Sequence, residues 1–376
     1  MLLMHENTPV AELEISLGRI TQIKKILNPE HLPVGTNHEG VLQAKYLESW
    51  QKDRAIPFNR QSLDLYTNYF GTTALMAAQM SGSFSLTDHY WFKEKGNDDK
   101  WEDLCFQSNG ISTDFAEFFL DMLTGKNPKG NGIPKLPDVN TDGVLPKMWI
   151  QDKNGAFSLV KFGEYGDYKD CNLLSANEVA CSKIAKLMDI DAVPYEGIWL
   201  PGLNEPACKC ENFVPSDMEF VTFAQIAKEH AGTQFDLYEL IKEMGYKKEV
   251  EDMVRFYFLI HNKDGHTKNC GFLRNAKTLK IERFAPLFDH GCSLNYDKIG
   301  SADQSVKPFR ATREEQIALV SNLKNMPKFE DMAEIIKDTY AQFSVPEPQL
   351  DFALRDLIET CNEWERLEEK DEREYE

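Results

Sequence analysis

The sequence predicts an α+β fold with a small N-terminal α+β module, a sheet-and-helix unit and a mainly helical remainder. Residues 9–28 contain two alternating apolar stretches, the pattern of a β-hairpin, and residues 38–53 then change to helical spacing. Further along the chain, the alternating stretches 144–150 and 156–162 precede a helical pattern over 172–188. Strands and helices are therefore mixed along the chain rather than separated by type.

Two boundaries divide the chain of 376 residues into three predicted domains. Residues 125–142 concentrate Gly, Pro, Asn and Asp with little apolar content, which is typical of a linker or a long loop. We therefore predict an N-terminal α+β module over 1–135, a sheet-and-helix domain over 136–215 and a mainly helical domain over 216–376.

The composition limits the classes of function. With 61 acidic and 42 basic side chains the formal net charge is -19, which repels phosphate backbones and anionic membrane surfaces. We expect neither direct nucleic-acid binding nor membrane association. The eight cysteines show no zinc-ligand spacing and are expected to be reduced. Without a signal peptide or an apolar run near the ~20 residues of a membrane span, the protein is expected in the cytoplasm.

The most polar short segment of the chain, residues 262–269, follows a helical pattern over 249–261 that is apolar on nearly all faces. Its residue types suit phosphoryl transfer. The carboxylate of Asp264 can orient an acceptor hydroxyl and take its proton, while the side-chain amide of Asn269 can ligate Mg²⁺. The alternative is a polar turn after a helix, formed by residues that favour turns.

A second segment favours the phosphoryl-transfer interpretation. Asp289 follows an apolar run within residues 284–291, as a metal-binding aspartate does at the end of a strand. A predicted hairpin over 271–283 separates it from Asn269. Two Mg²⁺ ligands in this order are similar to the arrangement in protein kinases, where an aspartate follows the catalytic loop.

Candidate phosphate-binding residues lie upstream. Lys161 falls on an apolar face of the predicted strand 156–162, where a buried charge needs an anionic partner. Glu178 on the following helix could pair with it and leave it above the α- and β-phosphates, although a purely structural salt bridge is the alternative. The preceding turn could direct backbone N–H groups at phosphate; its candidate residues are Gly143, Val144 and Lys147.

Six segments resemble the HipA-like kinases and occur in the order found in that family: TDGVLPKMWI, LVKF, NEVACSKIA, CENF, IHNKDGHTKN and APLFDHG. They span residues 141–291, and the stretch 264–269 is the most specific. The resemblance implies a bilobal protein-kinase-like fold with an N-terminal α+β extension, to which LTDHYWFK at 86–93 is also similar. The best-known members of this family are toxins of toxin–antitoxin pairs.

The resemblance also implies a role for each matching residue. Asp264 would be the catalytic base, Asn269 and Asp289 the Mg²⁺ ligands, and Lys161 the phosphate-binding lysine. His266 matches a family histidine near the active site, with stabilisation of the loop as its alternative role. The residues implied at the adenine hinge are Glu211 and Phe213.

The function implied is ATP- and Mg²⁺-dependent phosphoryl transfer to serine or threonine of a protein substrate, with an antitoxin as a possible partner. The same residue types would also permit a small-molecule kinase on a related fold. A non-catalytic nucleotide-binding partner protein is the third alternative. It is disfavoured because a lysine, a candidate base and two metal ligands occur together.

Overall fold

A computed structural model describes most of the chain. The described residues are 1–38, 41–57, 71–111, 145–163, 172–200, 204–230, 235–297, 308–320 and 326–375, with the single positions 64, 67 and 323. Within these ranges the strands are β1 Leu2–His5, β2 Thr8–Ser16, β3 Arg19–Ile26, β4 Asn37–His38, β5 Val41–Leu42, β6 Tyr90–Lys93, β7 Lys147–Gln151, β8 Phe157–Lys161, β9 Tyr195–Leu200, β10 Glu205–Glu211, β11 Met218–Thr222, β12 Gly271–Asn275 and β13 Ile281–Phe284. The helices are α1 Ala44–Arg54, α2 Ala74–Met80, α3 Trp101–Leu104, α4 Phe106–Asn109, α5 Leu173–Leu187, α6 Phe223–Glu229, α7 Leu237–Glu243, α8 Lys247–Leu259, α9 Arg313–Ile317, α10 Phe329–Gln342 and α11 Glu347–Tyr375.

The chain forms two compact units, and each draws on three separate segments. The first unit comprises Met1–Lys161, Asn212–Thr233 and Phe272–Arg283. The second comprises Phe162–Glu211, Gln234–Gly271 and Phe284–Glu376. The division into three sequence-contiguous domains stays a prediction.

In the first unit, an antiparallel sheet has the strand order β3-β2-β1-β6. The predicted hairpin over 9–28 is confirmed as β2 and β3, which turn at Leu17 and Gly18. Gly18 has φ +77°, and a Cβ there would lie 2.7 Å from the backbone nitrogen of Met76. Both the left-handed backbone and this close approach require glycine. Helix α1 packs against β3 and contributes Leu47 and Trp50 to the core.

A buried polar cluster in the first unit joins its three segments. Glu219 on β11 accepts the backbone N–H of His89 at 3.0 Å, and its Oε1 lies 2.9 Å from Nε2 of His5. Arg274 on β12 donates to the Glu219 carboxylate at 3.0 Å and to the hydroxyl of Tyr90 at 3.0 Å. The stretch 86–93 is thus fixed on one side by β1 and on the other by this cluster.

In the second unit, β9 and β10 form an antiparallel hairpin next to α5. Helix α5 also packs against α10, while α8 packs against α7, α9 and α11. The prediction that the helix before the polar loop is buried nearly all round is confirmed, because seven apolar or aromatic side chains of α8 are buried: Val250, Met253, Val254, Phe256, Tyr257, Phe258 and Leu259.

Two predicted helix limits were wrong. The helix predicted over 38–53 begins at Ala44, because the residues before it pair as β4 and β5. The helix predicted to reach His261 ends at Leu259, and His261 has φ +49°. The predicted linker 125–142 lies outside the described residues. Across the described ranges, no helix combines the length and apolar character needed to cross a membrane.

Candidate active site

The polar loop 262–269 is held by hydrogen bonds within itself. Oδ1 of Asn262 accepts the backbone N–H of Asp264 at 2.8 Å. The carbonyl of Asp264 in turn accepts from the His266 backbone N–H at 2.8 Å and from Nδ2 of Asn269 at 3.0 Å. The loop backbone is therefore fixed around Asp264 by side chains of its own sequence.

The direction in which this loop leaves α8 is set by His261. Its left-handed φ occurs just past the helix end, the position at which helices often reverse direction, usually with glycine. The ring compensates for the absence of glycine, since its Nδ1 lies 2.8 Å from Oδ1 of Asp356 on α11. Helix α11 therefore helps to place the loop.

Asp264 and His266 are two of the partly exposed residues of the loop. Their side chains are 41% and 38% exposed, and Nε2 of His266 lies 3.6 Å from Oδ1 of Asp264. The backbone N–H of Lys268 donates to Nδ1 of His266 at 3.2 Å. An accepting Nδ1 places the proton of the neutral ring on Nε2, which faces the Asp264 carboxylate. His266 thus accepts a hydrogen bond from the loop backbone through Nδ1 and lies beside the carboxylate of the predicted base through Nε2.

Asn269 is buried, with 7% of its surface exposed. Its backbone N–H donates to the carbonyl of His266 at 2.9 Å, while its Nδ2 donates to Asp264. Because Nδ2 is used within the loop, Oδ1 is the amide atom that can ligate a cation. This orientation fits the predicted Mg²⁺ ligand, since Mg²⁺ prefers oxygen ligands.

Asp289 lies where the backbone leaves an extended stretch. Leu287 forms a parallel bridge with Ala192, and Asp289 then has φ +64°. The next backbone N–H, that of His290, donates to Oε2 of the buried Glu178 at 2.7 Å. Glu178 was predicted to pair with Lys161; the contact found within the second unit is with the segment that carries Asp289, and the Lys161 pairing stays a prediction.

The carboxylates of Asp264 and Asp289 affect the same buried groups. Burial raises the pKa of the Tyr257 hydroxyl well above its usual range, and nearby negative groups, including Asp289 and Asp264, raise it further. Burial likewise raises the pKa of the Cys292 thiol, with the same two carboxylates adding to the effect. Asp264 and Asp289, 25 positions apart in the numbering, therefore act on the same buried groups.

The first unit holds two of the predicted phosphate-binding residues. Lys147 on β7 and Lys161 on β8 are direct cross-strand partners, and their side chains are buried. Residues directly opposite each other project to the same face of a sheet, so both lysine side chains lie on one face of the hairpin. Gly143 and Val144 lie outside the described residues.

The predicted hinge residues lie at the end of β10 and just after it. Glu211 is the last residue of the strand and is exposed. Phe213 is half-buried, and its ring packs edge-on against that of Phe220 at 5.4 Å. Their contact with adenine stays a prediction.

A protein-family model described as the HipA-like C-terminal domain matches residues 139–359, which is more than half of the chain. The chain belongs to the HipA-like family. One similar solved structure is described as the Shewanella oneidensis MR-1 toxin–antitoxin system HipA, HipB and its operator DNA complex; it is 14% identical with a TM-score of 0.56, covering 97% of this chain and 96% of that one. The likeness confirms the predicted α+β, HipA-like fold.

A second similar structure is described as the Helicobacter pylori proinflammatory kinase CtkA. It is 17% identical with a TM-score of 0.48, and the alignment covers 61% of this chain and 95% of that chain. Among curated protein sequences no match was found.

Some residues that shape the candidate site of this HipA-like protein have no local signature in the sequence. Lys263, beside Asp264, is buried, and its Nζ lies 2.5 Å from Oδ1 of Asp297. Its backbone N–H also donates to the carbonyl of Cys292 at 2.9 Å. The position of Lys263 within the polar loop could have indicated that it is functional. Its partner Asp297 lies 34 positions later in the sequence, where no local pattern indicates the pairing.

Proposed function

We propose that this HipA-like protein transfers the γ-phosphoryl group of ATP to a serine or threonine hydroxyl of a protein substrate, in the presence of Mg²⁺. The observation that carries the proposal is the contrast within one loop. Asp264 is 41% exposed, whereas Asn262 and Asn269 beside it are buried. A carboxylate that is open to an incoming hydroxyl, on a loop fixed from beneath, suits a general base.

In this proposal Asp264 orients the acceptor hydroxyl and takes its proton. The hydroxyl oxygen forms the new bond to the γ-phosphorus while the bond from that phosphorus to the β-γ bridging oxygen breaks, and ADP leaves. His266 supports Asp264, because a proton on Nε2 faces the carboxylate and favours its charged form. His266 is therefore assigned a positioning role in addition to its contact with the loop backbone.

Asn269 and Asp289 are assigned to Mg²⁺. The amide orientation of Asn269 and the carboxylate of Asp289 offer the hard oxygen ligands that this cation takes, with phosphate oxygens and waters completing the shell. Bound Mg²⁺ would neutralise charge on the phosphates. In a protein with a net charge of -19, such local neutralisation is needed for any polyanion to bind.

The nucleotide phosphates are assigned to Lys161 and Lys147. Both lysines are buried at directly opposite positions of one hairpin, and their side chains lie on the same face of it. Gly143 and Val144 are proposed to contact phosphate, Glu178 to pair with Lys161, and Glu211 and Phe213 to border the adenine, as the family resemblance implies.

An antitoxin is proposed as a partner in addition to the protein substrate. The support is the similar structure described as HipA with HipB and operator DNA. Because the net charge of this chain disfavours contact with phosphate backbones, we assign any DNA binding to the partner rather than to this chain.

Incubation with MgATP followed by mass spectrometry tests the proposal. Candidate protein substrates, and the chain itself, should gain phosphate on serine or threonine, while the Asp264→Asn variant should leave them unmodified. Phosphate found only on a small molecule, or undiminished transfer by the variant, would contradict the assignment.

A further inference from the structure

The segment that follows Asp289, residues 290–293, is bound to α5 by two neighbouring side chains. Glu178 accepts the N–H of His290 at 2.7 Å. Nδ2 of Asn177 donates to the carbonyl of Gly291 at 2.9 Å and to that of Ser293 at 2.8 Å. Two consecutive residues of one helix thus hold the backbone directly after the proposed metal ligand.

Asn177 is in turn fixed by a third element. The hydroxyl of Tyr340 on α10 donates to Oδ1 of Asn177 at 2.6 Å. Asn177 is 0% exposed and Tyr340 is 1% exposed, so water does not compete for either group. With Oδ1 held by Tyr340, both amide hydrogens of Asn177 are directed at the segment 290–293.

The backbone of Asp289 explains why such support is needed. At φ +64° a residue other than glycine is strained, and it keeps this conformation only when its surroundings determine it. The surroundings here are the bonds from Glu178 and Asn177 to the residues that follow. The segment also packs closely against α5. A Cβ at position 291 would lie only 3.1 Å from the backbone oxygen of Leu174, so a residue larger than glycine would fit there poorly.

We propose that Asn177 and Tyr340 are positioning residues for the metal-binding Asp289, acting through the segment 290–293. This inference rests on the proposed function insofar as Asp289 binds Mg²⁺. It assigns to α10, which contributes no predicted site residue, a direct part in placing a metal ligand. Supporting residues of this kind commonly change metal affinity or activity by about 10-fold to 100-fold when they are removed.

The test compares Tyr340→Phe with Tyr238→Phe in the full chain. Each variant removes one buried hydroxyl; that of Tyr238 donates to the carbonyl of Leu319 at 2.8 Å and is not bonded to the segment 290–293. The first readout is hydrogen exchange at the backbone N–H groups of His290 and Leu294. Tyr340→Phe should accelerate it by about ten-fold, as expected for one lost hydrogen bond, while Tyr238→Phe should not.

The second readout is the Mg²⁺ concentration needed for half-maximal phosphoryl transfer. Tyr340→Phe should raise it by about ten-fold relative to Tyr238→Phe at similar melting temperatures, a difference that general destabilisation would not give. Equal exchange and equal Mg²⁺ dependence in the two variants would overturn the inference. A parent protein without transfer activity would overturn the proposed function instead, and the exchange comparison would still decide the positioning role.

Discussion

Asp264 and Lys161 are assigned different work by their surroundings. Asp264 is half-exposed on a fixed loop, where it can meet a substrate hydroxyl. Lys161 is buried opposite Lys147, where it can meet an anion. A base acts when the proton moves, whereas a cation on the phosphates acts in the bound state as well as in the transition state.

We predict that Asp264→Asn lowers turnover by about 10²-fold to 10⁴-fold, the usual contribution of a general base. Nucleotide affinity should stay near that of the parent, because the change keeps size and hydrogen bonding but removes the charge. Calorimetry of nucleotide binding beside steady-state kinetics measures both effects. Lys161→Ala is the contrasting variant and should weaken nucleotide binding as well as rate; equal behaviour of the two would refute this division of roles.

We predict that Asn269→Ala and Asp289→Asn raise the Mg²⁺ requirement of nucleotide binding. Asn269→Ala removes an oxygen ligand and Asp289→Asn removes the negative charge of the other ligand, so the cation is held less tightly and the phosphates face an acidic protein with less neutralisation. The parent should bind ATP weakly in excess chelator and more tightly with Mg²⁺. Calorimetry with and without metal checks this, and an affinity that ignores Mg²⁺ in the parent would exclude the metal site.

Individual site residues could be predicted from the sequence where several of them lie close together along the chain. Asp264 and Asn269 occur within six residues, so their residue types indicated a base and a metal ligand, with a polar turn as the alternative, whereas His266 was implied only by the family resemblance. Asn177 and Tyr340 could not be found in the same way. Each is one polar residue in a helical pattern, and their contact at 2.6 Å joins positions 163 residues apart.

At the scale of loops and secondary-structure elements, an ion pair joins the polar loop 262–269 to the segment after Asp289. Lys263 and Asp297 form a partly buried ion pair, with side chains 4% and 16% exposed. The backbone of two residues shortly before Asp297, Leu294 and Asn295, is in the left-handed conformation and turns the chain there. Such a backbone is costly and is kept where the structure around it is well determined.

We predict that Lys263→Met lowers the free energy of unfolding by about 1.5 to 3 kcal/mol, since it removes a charge-assisted hydrogen bond to the partly buried carboxylate of Asp297. Adding Asp297→Asn should recover part of the loss, because the remaining charge is removed. Chemical denaturation of the single and double variants measures the coupling. Lys209→Met, which breaks the exposed pair with Glu196, is the matched control and should cost less than about 1 kcal/mol.

Helix existence was predicted better than helix ends. Periodicity identified α5 and α8 because each carries a long apolar face. It failed at residues 38–43, where β4 and β5 pair locally despite apolar residues at helical spacing. It also extended α8 to His261, whose side chain suits the core but whose backbone is held left-handed by the contact with Asp356. Tertiary partners decided both limits.

At the scale of the whole molecule, the buried carboxylate of Glu219 links the three chain segments of the first unit. Burial alone would raise the pKa of Glu219, but the hydrogen bond with His5 and the charge of Arg274 outweigh it and hold the pKa well below its usual range. For His89, burial alone would lower the pKa, but the Glu6 carboxylate, 3.3 Å from Nδ1 of His89, and other nearby carboxylates raise it. The cluster therefore favours Glu219 ionised and His89 protonated.

We predict that stability is greatest between the ordinary pKa values of these groups. The lowered pKa of Glu219 gives stability that is present above its usual value of 4.5 and is lost as the pH falls below it. The raised pKa of His89 gives stability that is present below 6.5 and is lost as the pH rises above it. Chemical denaturation across this pH range measures both limits.

Glu219→Gln provides the control for the acid limit. It should flatten the loss of stability at low pH and lower the free energy of unfolding near neutral pH by about 3 to 5 kcal/mol, because Arg274 then stays buried without a carboxylate. An unchanged acid limit in this variant would show that other carboxylates cause it.

The interleaving of the two units has a consequence for folding during synthesis. The first unit uses Met1–Lys161 but is completed only by Phe272–Arg283. Until the ribosome has added Arg274, the Glu219 carboxylate has no guanidinium beside it, and until it has added Glu219, the imidazole of His5 lacks its acceptor. The N-terminal strands must therefore wait, incompletely buried, until the chain as far as Arg283 has emerged, and nascent chains stalled before Phe272 should be the ones that chaperones retain and proteases remove.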